Sequence, residues 1–109
     1  MDIIRGMGMD ESAKKEVQER WPEIIEYVCR KGRASNAAKR TWLEPLNVVA
    51  VDRDIVYVEF YEAVYVPYIR KRYTDLFEEA FRTVLKRPYR VYFFWNKVTL
   101  LNEKKERLN

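Results

Sequence analysis

Few side chains in this 109-residue chain are suited to covalent chemistry, and none has the partner it would need. Ser12, Ser35 and Cys29 are the candidate nucleophiles. The sequence contains no histidine, the usual base for activating a hydroxyl or thiol and the commonest metal ligand. One cysteine and no histidine leave a zinc ion without its preferred ligands, and a lone cysteine cannot form an internal disulfide. Asp52 and Asp54 are two carboxylates two positions apart. They flank Arg53 between two apolar runs, where aspartate favours a turn over acid–base work. Gly6-Met7-Gly8 has no strand before it, and no Gly-x-x-x-x-Gly-Lys sequence occurs anywhere, so no phosphate cradle is expected. These observations predict a non-catalytic protein with no metal and no cofactor.

Non-covalent recognition is better provided for. The net charge of +4 is unevenly placed. Residues 1–60 carry 10 basic and 11 acidic side chains, whereas residues 61–109 carry 11 basic and 6 acidic ones. A basic half suits an anionic partner such as nucleic acid, or simply a solvated face. Lys39, Arg40, Arg70, Lys71 and Arg72 are the candidate contacts for single-stranded nucleic acid. With no base-reading motif, such binding would be weak and salt-sensitive. Aromatic residues make up 15% of the chain, enough to fill a small core and leave some rings on the surface for contacts.

The length fits one domain with a single core. No apolar run approaches the ~20 residues of a membrane span. The single cysteine and the lack of a signal-peptide pattern predict the cytoplasm.

Periodicity gives the elements that must position these residues. Residues 1–17 read as an N-terminal extension, with a helical turn from Asp10 or Ser12. Trp21, Ile24, Ile25, Val28 and Cys29 form one apolar stripe of a helix that starts near residues 18–21, with Pro22 in its first turn, and stops at Gly32. Ser35 or Asn36 caps a second, short helix. Trp42 and Leu43 close it, and Pro45 forces Glu44 out of helical geometry. Trp42 is expected to anchor the core. Leu46–Val51 and Ile55–Phe60 alternate as strands of a hairpin, with Val56, Val58 and Phe60 facing the core. Tyr65, Tyr68, Ile69, Leu76, Phe77, Ala80, Phe81, Val84 and Leu85 mark a long helix ended by Arg87-Pro88. Tyr89–Trp95 is a third strand, with Tyr89, Val91, Phe93 and Trp95 on one face. The charged tail 96–109 carries Leu100, Leu101 and Leu108 at helical spacing.

The order helix, helix, strand, strand, helix, strand carries recognisable landmarks. They are Trp21, then Trp42-Leu43-Glu44-Pro45-Leu46, then Tyr68-Ile69 and Tyr73, and finally Arg90-Val91-Tyr92-Phe93-Phe94. Together, over roughly residues 18–95, they resemble the N-terminal domain of the bacterial replication initiator DnaA. The resemblance implies an α+β domain of KH-like topology with a three-stranded sheet and no catalytic activity. It further implies self-association through the first helix, matching Trp21 and Ile24, binding of the replicative helicase and regulatory proteins, and weak single-stranded DNA binding. The matching partner-binding positions are Ala37, Ala38, Glu62 and Val64, with Tyr65 beside them. The family often has an acidic residue where Ala38 stands, and Asn-x-Phe where Glu62 and Val64 stand, so an altered partner is expected. The chain is expected to be either a fragment of such an initiator or a stand-alone relative, and the extra residues at both ends lean towards the latter. The alternative reading is a small basic KH-like module for single-stranded nucleic acid. It lacks the Gly-x-x-Gly loop of KH domains, and its strand Arg90–Phe94 lacks the glycines of RNA-recognition modules.

Overall fold

The computed structural model describes residues 9–95. Helix α1 (Glu11–Glu19) is started by Asp10, whose carboxylate accepts from the Ala13 N–H at 2.9 Å. Val17 on α1 is fully buried. The Asp10 N–H donates to the Val51 carbonyl at 2.8 Å, and Gln18 Nε2 donates to the Val48 carbonyl at 3.1 Å. The expected extension 1–17 is therefore part of the fold from residue 9 onward. Ala13 and Val17, four apart, supply the small apolar edge that docks it. The Gly6-Met7-Gly8 segment and the helix expected in the tail 96–109 lie outside the described residues.

Helix α2 (Trp21–Gly32) carries Pro22 in its first turn and buries Ile24, Ile25 and Val28. Its end differs from the expected glycine stop by one residue. Arg33, not Gly32, takes the left-handed conformation, at φ 54°. The Ala34 N–H bonds the Cys29 carbonyl and the Arg33 N–H bonds that of Arg30, the paired pattern of a Schellman ending. Gly32 has a different use: a Cβ there would meet Leu76 Cδ1 at 2.8 Å, so the bare glycine leaves room for the end of that side chain. Ser35 caps α3 (Asn36–Ala38), its Oγ accepting from the Ala38 N–H at 3.0 Å. The helix then widens into a π-turn over Lys39–Leu43, with the Glu44 N–H reaching the Lys39 carbonyl. Glu44 keeps helical angles, φ −63° and ψ −34°, so Pro45 ends the helix without forcing the residue before it out of helical geometry.

Strands β1 (Asn47–Asp52) and β2 (Ile55–Phe60) pair antiparallel around Arg53-Asp54. Their register slips between Val48 and Ala50, leaving Val49 as the extra residue of a bulge. A single 3₁₀ turn (Ala63–Tyr65) leads into α4 (Val66–Ala80), which ends in a second π-turn, Phe81–Leu85. Strand β3 (Arg90–Trp95) returns parallel to β2, giving the sheet order β1-β2-β3. The fold is thus α+β. The expected α-α-β-β-α-β order is present, preceded by one more helix.

Val56, Val58 and Phe60 face the core as the alternation predicts, with α1, α2 and α4 supplying the opposing side chains. On β3 both Phe93 and Phe94 are buried, so the expected single buried face is too simple there. A polar clasp joins α2 to α4. The Tyr27 hydroxyl donates to the Glu79 carboxylate, which also lies 3.6 Å from Lys31 Nζ. The tyrosine hydrogen bond and then the lysine charge hold the Glu79 carboxyl below its ordinary range.

The Schellman ending generates a stability test. A non-glycine residue at positive φ crowds its Cβ against the backbone. Arg33→Gly is expected to raise the unfolding free energy by about 1 kcal/mol, read as a higher urea midpoint at unchanged slope.

Candidate interaction surface

The site is built outward from Trp42. The π-turn that holds it ends at Leu43, whose side chain is fully buried. Trp42 itself is half-buried, so Leu43 is the true core anchor of this turn and the expectation for Trp42 is corrected. Its indole lies against three rings at centroid distances of 6.2 Å to Phe60, 5.2 Å to Tyr65 and 4.9 Å to Tyr68. Tyr61 leans on Phe60 at 4.5 Å. Phe60 is buried, but Tyr61, Val64, Tyr65 and Tyr68 are 58%, 73%, 40% and 45% exposed. Segment 61–68 therefore offers four large apolar or aromatic side chains to solvent, backed by Trp42 and the buried Phe60. Offset and edge-on ring contacts of this kind hold the rings in defined orientations.

Sequence periodicity had placed Tyr65 and Tyr68 on the buried stripe. Helix α4 begins at Val66, and its buried face runs through Val66, Ile69, Tyr73, Phe77 and Ala80. Tyr65 precedes the regular helix, and Tyr68 sits about 100° around from Ile69. Tyr73, a landmark of the resemblance but absent from the apolar stripe read from spacing, packs its ring inside, while its hydroxyl is pushed up in pKa by burial.

Of the expected partner-binding residues, Ala37 is exposed and Ala38 half-buried on α3, one turn before Trp42. Glu62 and Val64 are exposed between β2 and α4. These four lie on the two segments that flank the aromatic cluster.

The self-association pair fares differently. Ile24 is fully buried and has no surface to give a partner. The same stripe of Ile24, Ile25 and Val28 that predicts α2 accounts for this. Trp21 is half-buried, stacked on Phe77 at 5.3 Å and tilted against Phe81 at 6.4 Å, so its ring is first a packing element.

The five cations do not form one strip. Lys39 pairs with Glu26 at 3.2 Å. Arg70 Nε donates to the Phe93 carbonyl at 2.8 Å, and its guanidinium lies over Tyr92. Arg72 donates to the Gly32 carbonyl at 2.9 Å. Arg40 and Lys71 are exposed and make no ion pair among the described residues. Consecutive residues on a helix diverge by about 100°, so Arg70, Lys71 and Arg72 face three directions.

Comparison with known proteins adds no assignment: no protein-family model matches the chain, and no curated protein matches it. Among the described residues no cluster of three histidine, cysteine or acidic side chains is arranged to hold a metal ion. None of their helices is long and apolar enough to cross a membrane. Burial raises the pKa of the Cys29 thiol, the opposite of what a reactive thiolate needs.

A half-buried indole against one buried ring and two exposed ones is worth less than a core tryptophan. Trp42→Ala is expected to cost about 2 kcal/mol, below the range for fully buried tryptophan. Equilibrium denaturation with an unchanged circular dichroism spectrum in water checks it.

Proposed function

We propose that this chain is a non-catalytic protein–protein interaction module whose docking face is the aromatic surface around Trp42. The carrying observation is that Tyr61, Val64, Tyr65 and Tyr68, four large apolar or aromatic side chains within eight residues, are all left in solvent, three of them with rings that pack against Trp42 or Phe60. Exposed patches of this kind mark interaction sites, and tyrosine is among the residues favoured as anchors of protein interfaces. The order of elements and the Trp-Leu-Glu-Pro-Leu landmark support a resemblance to the N-terminal domain of DnaA. On that reading the module acts in the bacterial cytoplasm in replication initiation or its regulation, binding the helicase or a regulatory protein. Small side chains at Ala37 and Ala38 allow a partner to approach α3 closely. The lack of an acidic side chain at Ala38 and of a ring at Val64 favours an altered partner. Homodimerisation through Trp21 would use only the part of that ring left outside the core.

The test is affinity capture with the full chain, wild type against Val64→Asp. Val64 is 73% exposed, so the substitution should leave folding stability within about 0.5 kcal/mol. A replication protein captured by the wild type and lost with Val64→Asp is the expected result. Capture that is equal for both proteins would contradict the proposed face.

A further inference from the structure

A hollow lies between the start of α2 and the π-turn after α3, apart from the aromatic surface around Trp42. Trp21, Pro22 and Ile25 form its apolar side, and Glu26, Lys39 and Glu44 its charged side, around a volume of about 290 Å³. The Trp21 ring is backed by the Phe77 ring, stacked on it at 5.3 Å. The charges are unequal. Lys39 Nζ sits 3.2 Å from Glu26 and is hydrogen-bonded to it. Glu44 is exposed and makes no ion pair among the described residues.

An aromatic face beside an unpaired carboxylate is the combination that recognises a guanidinium. Arginine stacks flat on an indole and directs its planar fork of N–H groups at a carboxylate. Pro22 beside them offers a place for an apolar neighbour. We infer that this groove binds an arginine-bearing segment of a partner protein. The guanidinium lies between Trp21 and Glu44, and an adjoining apolar side chain rests on Pro22. This contact is independent of the aromatic surface around Trp42 and does not require that surface to be a docking face.

The experiment uses random short peptides displayed on phage, selected against the full chain. Selected peptides are then measured in solution against wild type, Glu44→Gln and Glu44→Lys. The expected result is a class of peptides with arginine next to an apolar residue. Its affinity falls roughly tenfold on Glu44→Lys, equivalent to about 1.4 kcal/mol, and by an intermediate factor on Glu44→Gln. Circular dichroism and thermal midpoints should not change, because Glu44 is exposed. The absence of such a class, an acidic or neutral consensus, or affinities indifferent to Glu44→Lys would overturn the inference. Concentration-dependent dimerisation of the wild type that Glu44→Lys abolishes would overturn it too, since the occupant would then be a second copy of this chain.

Discussion

The Phe77 ring is the contact on which the rest of this small structure depends. It is fully buried, stacked with Trp21 of α2, and edge-on to Phe93 of β3 at 5.4 Å. One side chain on α4 therefore ties the first core helix to the returning strand. Phe81, one turn on, extends the contact towards Tyr89. The parallel pairing of β2 with β3 requires a crossover, and α4 with its flanking turns provides it. Gly32 leaves room beside α2 for the end of the Leu76 side chain, and the Tyr27–Glu79–Lys31 clasp joins the same two helices on the solvent side.

That geometry also explains why an aromatic surface exists at the other end of α4. The phase of the helix is set by Ile69, Tyr73 and Phe77 facing inward. With that phase fixed, Tyr68 must lie outside, and the residues before Val66 belong to a 3₁₀ turn that buries none of its side chains. The π-turn at Lys39–Leu43 sends Leu43 into the core and brings Trp42 against Tyr65 and Tyr68. The exposed rings follow from the core packing, and their mutual contacts keep them ordered.

The sequence made the core strands and the main helices legible because their periods are clean. Val56, Val58 and Phe60 alternate, and Ile24, Ile25 and Val28 share one helical stripe. It was less informative where a single residue decides. Asp10 marks a helical turn in the sequence, but α1 as a docked helix is harder to read because Val17 is its one fully buried side chain. Arg33 carries the left-handed turn where the glycine one position earlier invited the assignment. Tyr73 hides between Arg72 and Thr74, and β3 buries adjacent phenylalanines. For the site, segment 61–68 and α3 were legible only through resemblance, and Trp42, Tyr61 and Tyr68 as exposed or half-exposed rings were not. Helix phase at an N-terminus depends on which residue begins the helix, and that boundary is fixed by packing. Ile24 illustrates the converse error, since its own periodicity placed it in the core.

The central claim is that the aromatic face around Trp42 is where a partner docks. Amide hydrogen exchange of the full chain, alone and saturated with the captured partner, tests it most directly. The account predicts new protection concentrated in residues 61–68 and in α3 with the π-turn that follows it, residues 36–43, with the β3 amides unchanged. Protection confined to β3, with segment 61–68 exchanging as freely as before, would contradict it.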